Sequence, residues 1–76
     1  MSQATLNNNE TQNLNANTEV KIANNSNNQG SFRITVHGNP ETNTDYTIAG
    51  NSSKNILAQE NYTVKNTGNV TLSLTW

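Results

Sequence analysis

The sequence predicts an all-β fold, a small antiparallel β-sandwich of about six strands. Short runs in which apolar and polar residues alternate begin at Val20 and continue to the last residue. Turn-forming residues separate these runs at spacings of about ten residues, a pattern typical of sandwiches. No stretch shows a helical period, and 76 residues allow one small domain.

The first 17 residues are polar and rich in Asn, with Leu6 and Leu14 as the only large apolar residues after Met1. Low-complexity polar termini are commonly mobile. We therefore expect a disordered or weakly ordered tail at residues 1–17 and a sandwich domain at residues 18–76. The alternative is an edge strand around Ala4–Leu6 that pairs within the fold or with another copy.

The middle of the chain contains four predicted strands. The first surrounds Val20 and Ile22, before a polar loop at 24–30. The clearest covers residues 32–37, in which three apolar residues alternate with Arg33, Thr35 and His37 before Gly38-Asn39-Pro40 ends it. A shorter strand follows at 46–48, and a less regular one at 56–59.

Two further strands, Tyr62–Lys65 and Val70–Trp76, end the chain. A three-residue loop between them matches their apolar faces, because it places Val64 opposite Leu72. We therefore expect a hairpin with a bulge. The alternative places the two strands in opposite sheets, joined across the top of the sandwich.

The predicted core is thin, so we expect the chain to form a homo-oligomer. A domain of this size seldom gains more than about 3–5 kcal/mol from its core, and there is no Cys to form a disulfide. The expected contact is the C-terminal strand, which has nothing after it to cover its edge: Val70, Leu72, Leu74 and Trp76. The expected core comprises Val20, Ile22, Phe32, Ile34, Val36, Tyr46, Ile48, Ile56, Leu57, Tyr62, Val64, Val70, Leu72, Leu74 and Trp76.

The segment Tyr62–Leu72 resembles the strand–Asn-Thr-Gly–strand pattern of immunoglobulin-like repeats in bacterial surface proteins. The resemblance covers only this segment and transfers no functional residues. It implies a sandwich of extracellular type that serves as a non-enzymatic spacer or adhesive unit. We therefore favour an extracellular or cell-surface location, although no signal peptide is visible.

Composition argues against several classes of function. Four Lys and Arg residues without a basic cluster, in a chain of net charge -1, argue against nucleic-acid binding. No apolar run is long enough for a membrane span. His37 would need an orienting carboxylate, from Glu41 or Asp45, and a hydroxyl to activate before it could catalyse a reaction. We expect no enzyme, no cofactor and no metal, and we interpret the oxygen-rich segment 39–45 as a polar turn.

The leading prediction is a binding module that recognises a carbohydrate or protein surface. The polar face formed by Arg33, Thr35 and His37 offers groups that donate and accept hydrogen bonds, which suits hydroxyl-rich ligands. Trp76 is the aromatic residue we expect to be partly accessible at such a site. The competing prediction is a structural, self-assembling β protein that joins copies through strand edges or the C-terminal strand.

Overall fold

The computed structural model describes all 76 residues and confirms an all-β, sandwich-like architecture of two antiparallel four-stranded sheets. The structure has eight strands, which corrects the expected six. None of its segments is a helix long and apolar enough to cross a membrane. The sheet orders are β1-β8-β3-β6 and β2-β7-β4-β5. The strands are β1 (Gln3–Leu6), β2 (Thr11–Leu14), β3 (Val20–Asn24), β4 (Gly30–Val36), β5 (Thr42–Ile48), β6 (Ser52–Ile56), β7 (Tyr62–Asn66) and β8 (Leu72–Thr75).

The expectation of a disordered N-terminal tail is wrong, because the first two strands lie within residues 1–17. β1 pairs with β8 and β2 pairs with β7. Each strand is four residues long and contributes one fully inward side chain, Leu6 or Leu14, to the core. An edge strand this short shows almost no period in its sequence, so the segment resembled a polar tail. The alternative of a strand at Ala4–Leu6 within the fold is confirmed.

The last two strands lie in opposite sheets, as the alternative to the hairpin predicted. β8 is an interior strand, paired with β1 on one side and β3 on the other. This corrects the expected oligomer contact: Leu72 and Leu74 are fully buried, and the strand has no uncovered edge. Val70 and Trp76 are partly buried and pack against the core.

The buried core differs from the predicted one in both directions. Leu6 and Leu14 join it, whereas Leu57 is exposed. Five other predicted core residues are only partly buried and pack against it: Val36, Tyr46, Ile56, Val70 and Trp76. β5 and β6 also begin before their apolar residues, because edge strands are held by backbone hydrogen bonds and do not need a fully buried face. The eleven core residues are Leu6, Leu14, Val20, Ile22, Phe32, Ile34, Ile48, Tyr62, Val64, Leu72 and Leu74.

The two halves of the chain repeat one another at an offset of 42 residues. This shift carries β1 to β4 onto β5 to β8 and one sheet order onto the other. The same shift reproduces the residue pairing wherever an edge strand is involved. The β1–β8 register is repeated in the β5–β4 pair, and the β2–β7 register is repeated in the β6–β3 pair. The central pairs differ by two residues, since Ile22 faces Leu74 whereas Val64 faces Ile34 rather than Phe32.

The repeated halves are interleaved. Each of the six strand pairings joins one strand from β1 to β4 with one from β5 to β8. Neither half therefore contains a strand pair of its own, and a sheet forms only when both halves are present.

A buried asparagine occupies the same position in each half, at the end of β3 and of β7. The Asn66 amide donates to the Leu6 and Val70 carbonyls, at 2.8 Å each, and its oxygen accepts from the Gly68 N–H at 3.0 Å. Asn24 makes the equivalent bonds, to the carbonyls of Ile48 and Asn28 and from the N–H of Ser26. These two side chains fix the connections at which the chain crosses between the sheets.

Candidate functional site

The outer face of the β2-β7-β4-β5 sheet is a grid of polar side chains. Residues that face each other across antiparallel strands lie in rows, and alternate residues along a strand share one face. One row contains Thr11, Lys65, Arg33 and Asp45, and the next contains Asn13, Thr63, Thr35 and Asn43. His37 follows β4 on the same parity, so the face combines cationic, hydroxyl, amide and imidazole groups.

At one end of this face, Arg33 is already paired. Its Nε donates to Asp45 Oδ1 at 2.7 Å, and its Nη2 donates to Asp45 Oδ2 at 3.3 Å. The hydrogen bond from Arg33 holds the pKa of the Asp45 carboxyl below its ordinary value, and the same bond raises the pKa of Arg33. Both groups are well exposed, so the pair orients the side chains and adds little to stability.

At the other end, a chain of hydrogen bonds through His37 runs from the residue before β5, past the end of β4, to β7 and β2. The Nδ1–H of His37 donates to Glu41 Oε2 at 2.9 Å, and Nε2 lies 2.7 Å from Thr63 Oγ1. The Thr63 hydroxyl in turn donates to Asn13 Oδ1 at 2.7 Å. The backbone N–H of His37 donates to the Asn61 carbonyl, which ties this end of β4 to the turn before β7.

The order carboxylate, imidazole, hydroxyl also occurs in hydrolytic triads, where the imidazole takes the hydroxyl proton. Thr63 Oγ1 lies within hydrogen-bond distance of both His37 Nε2 and Asn13 Oδ1, and its single hydrogen is donated to only one acceptor at a time. The network holds these side chains in defined orientations on the outer face of the sheet.

An open cleft of about 390 Å³ lies beside this network. The oxygens of two of its amides are already bonded: Asn13 Oδ1 accepts from Thr63, and Asn61 Oδ1 accepts from the Ala16 N–H at 2.8 Å. The NH₂ groups of Asn13 and Asn61 have no partner within the chain, so they are available as donors. The lining residues are Asn13, Leu14, Asn15, His37, Asn61, Tyr62 and Thr63.

The apolar part of the cleft is formed by Leu14 and Tyr62, which are both buried. The Tyr62 hydroxyl donates to the carbonyl of Thr18 and lies 3.3 Å from the carbonyl of Ile56. Burial raises the pKa of Tyr62, and the nearby charge of Glu19 raises it further. The ring is thus held as part of the core, and the cleft contains no exposed aromatic surface.

The structure brings together only part of the predicted binding site. His37 lines the cleft, whereas Arg33 and Thr35 lie on the same face outside it. Trp76 follows β8 in the other sheet and packs partly against the core, so the expectation that it joins this site is wrong. Sequence reasoning missed Asn13 because it lay in the supposed tail. A comparison of the chain with itself at an offset of 42 would have aligned Asn13 with Asn55 and revealed the strand.

The oxygen-bearing residues between 39 and 45 serve cross-strand pairing. Glu41 bonds His37, Asn43 accepts from the Thr35 hydroxyl at 2.6 Å, and Asp45 bonds Arg33. These three residues are two positions apart because alternate side chains of an extended segment lie on the same face. The expected polar turn at 39–45 is corrected, because Thr42–Asp45 belongs to β5. No group of three or more His, Cys, Asp or Glu side chains is placed to hold a metal ion.

Comparisons with protein-family models, with curated proteins and with solved structures find no match to this chain.

Proposed function

We propose that the protein is a non-enzymatic module that binds a carbohydrate at the cleft beside His37. The observation that supports this most strongly is the state of the two cleft amides. Asn13 and Asn61 use their oxygens within the fold and keep their NH₂ groups for a ligand. A sugar supplies the matching acceptors, which are its hydroxyl and ring oxygens and, in a uronic acid, its carboxylate oxygens.

The remaining features of the cleft suit a small polar ligand. Its volume falls within the range of small-molecule pockets, roughly 300–1,000 Å³. Asn15 adds a further amide, for which the fold provides no side-chain hydrogen bond, and the His37 network supplies groups held in fixed orientations. Fixed donors bind more tightly than mobile ones, because less side-chain freedom is lost when the ligand arrives.

Affinity for a single sugar should be weak. Sugar sites gain much of their affinity from stacking on an exposed aromatic ring, and here Tyr62 is fully buried. A hydrogen bond between protein and sugar replaces hydrogen bonds that both made to water, so each contributes only about 0.5–1.5 kcal/mol to the binding free energy. We expect a dissociation constant of about 1 mM for a monosaccharide, equivalent to roughly 4 kcal/mol of binding free energy.

We also propose that the sandwich belongs to the immunoglobulin-like modules of bacterial surfaces. The segment Tyr62–Leu72 supports this proposal, together with the two-sheet architecture. The connectivity differs at the C-terminus, since the last two strands of the constant-type immunoglobulin arrangement share a sheet and β7 and β8 do not. An extracellular binding role agrees with a carbohydrate ligand.

A glycan array with matched variants tests the proposed site. Asn13→Asp and Asn61→Asp keep the oxygens that accept from Thr63 and Ala16 but remove the NH₂ donors. Asn55→Asp is the control, because Asn55 is exposed, occupies the equivalent position in the other half and lies outside the cleft. We expect binding to weaken at least roughly tenfold in the two cleft variants, equivalent to losing a hydrogen bond, and to persist in the control. Equal binding by all three variants, or no glycan bound by the parent chain, would contradict the proposal.

A further inference from the structure

The sandwich has four edge strands, and three of them are protected against pairing with another chain. β1 and β2 are only four residues long. β6 contains Lys54, an exposed residue whose Nζ lies 5.3 Å from the centre of the Tyr46 ring. Short length and a Lys on the edge are devices that keep exposed strand edges from associating.

The fourth edge, β5, has none of these devices. It has seven residues, includes no Lys, Arg, Pro or Gly, and contains three β-branched Thr. Its single charge, Asp45, is balanced within the chain by Arg33. No backbone N–H or C=O group of residues 42–47 has a backbone hydrogen bond other than those of the pairing with β4. The outer edge of β5 is therefore open along most of its length.

We propose that β5 pairs with β5 of a second copy in an antiparallel arrangement, which makes the protein a two-fold symmetric dimer. The proposal does not depend on ligand binding at the His37 cleft. Homotypic antiparallel pairing is self-complementary, and it satisfies the outer backbone groups of both copies at once.

The charges on β5 select one register. In an antiparallel pair, two facing residues either both direct their N–H and C=O groups toward the partner strand or both direct them away. When the two strands are copies of one another, the two-fold axis therefore passes next to a residue that faces the same residue of the other copy. An axis at Asp45 places two carboxylates opposite each other, and an axis at Asn43 places Asp45 opposite Glu41. An axis at Tyr46 removes the repulsion but leaves Asp45 opposite Thr47.

An axis at Thr44 places Asp45 of each copy opposite Asn43 of the other. The oxygen of Asn43 already accepts from Thr35, so its NH₂ group is available to the facing carboxylate. This pair occurs twice in the dimer, and the Asn43 amide offers the carboxylate two N–H donors, whereas Thr47 in the Tyr46 register offers one hydroxyl. Thr44 is on the side of β5 that faces the core, but it is exposed. It can therefore contact Thr44 of the other copy without displacing core residues.

Such a dimer joins the two β2-β7-β4-β5 sheets into one of eight strands, with both His37 clefts on the same face. Five strand spacings separate β7 from its copy, a distance of about 24 Å. The contact supplies about four to six backbone hydrogen bonds and buries little apolar surface, so we expect a reversible equilibrium with a dissociation constant between roughly 10 μM and 1 mM.

Solution mass measured by light scattering over a concentration series tests the dimer. We expect the mass to rise from that of one 8.3 kDa chain toward twice that value as concentration approaches about 1 mM. Asn43→Asp keeps the oxygen that accepts from Thr35 and places a carboxylate against Asp45 of the other copy. It should weaken dimerisation roughly tenfold or more. The double variant Asn43→Asp with Asp45→Asn restores a carboxylate–amide pair and should restore the dimer.

The controls separate this register from the others and from loss of folding. Ser53→Asp adds a charge to the exposed edge strand β6 and should leave the equilibrium unchanged. Thr44→Lys places two ammonium groups at the axis and should abolish dimerisation while circular dichroism stays that of the parent. A mass that remains that of one chain at all concentrations would overturn the proposal. Failure of the double variant to recover would overturn the register.

Discussion

The buried side chain of Asn66 stabilises the connection between β7 and β8, and replacing it with Ala should nearly unfold the domain. The substitution removes two donated hydrogen bonds of 2.8 Å and one accepted bond of 3.0 Å. The side chain is fully buried, so water cannot replace it without rearrangement. With about 1 kcal/mol for each lost bond and a further penalty for unsatisfied buried groups, we expect a loss of about 3–4 kcal/mol.

Urea denaturation followed by Trp76 fluorescence measures this loss, since Trp76 is the only tryptophan. The 42-residue repeat supplies a second test, because Asn24→Ala should have a similar effect. Asn55→Ala is the control: it is exposed, has no side-chain hydrogen bond and should change stability by less than about 0.5 kcal/mol. Sucrose added equally to all samples keeps the weakest variants folded enough to measure.

A loss of less than about 1 kcal/mol for Asn66→Ala, or an Asn24→Ala variant as stable as the Asn55 control, would refute this prediction. Either result would mean that the connections between the sheets do not depend on the buried amides.

Three further predictions concern ionisation and folding. Arg33→Gln should return the pKa of Asp45 toward 3.8, as measured by carboxyl NMR titration. In the parent chain, the ionised Asp45 stabilises the fold above pH 3.8, and this contribution is lost as pH falls through the lowered pKa of Asp45. Burial raises the pKa of Tyr62 above 10.0, so its contribution to stability is present below pH 10 and lost as pH rises through the raised pKa. Ultraviolet absorbance should show this late ionisation, and Tyr62→Phe should remove it. Fragments 1–41 and 42–76 should each be unfolded alone and acquire β circular dichroism when mixed, because all six strand pairings join the two halves.

Periodicity predicted the interior strands well and the edges poorly. Alternation is strong in β4 and β7, where every second residue is buried or partly buried, and these strands form where expected. β1 and β2 are edge strands with one buried residue each, so their sequences contain almost no such signal. The hairpin predicted for β7 and β8 matched apolar faces correctly, but the same faces also match across the sandwich. Asn66, whose amide bonds favour a crossing between sheets, was not part of that reasoning.

The candidate site was predicted as a face but not as a cleft. The parity of β4 placed His37 outward, and Glu41 was one of the two carboxylates expected to orient it. The cleft forms where the turns before β3 and β7 contact the end of β4. The spacing of residues in the sequence does not predict which loops of a fold contact one another. Asn13 and Asn61 are 48 positions apart, and two of seventeen asparagines cannot be singled out by composition.

A titration of the protein with a panel of neutral and uronic acid methyl glycosides, followed by nitrogen–proton correlation NMR, tests the carbohydrate site directly. We predict saturable shifts of the side-chain NH₂ signals of Asn13 and Asn61 and of the backbone signal of Thr63, with the Asn55 signal unmoved. Saturable shifts confined to other surfaces, or no saturable shift with any glycoside, would contradict the assignment of the His37 cleft as a carbohydrate site.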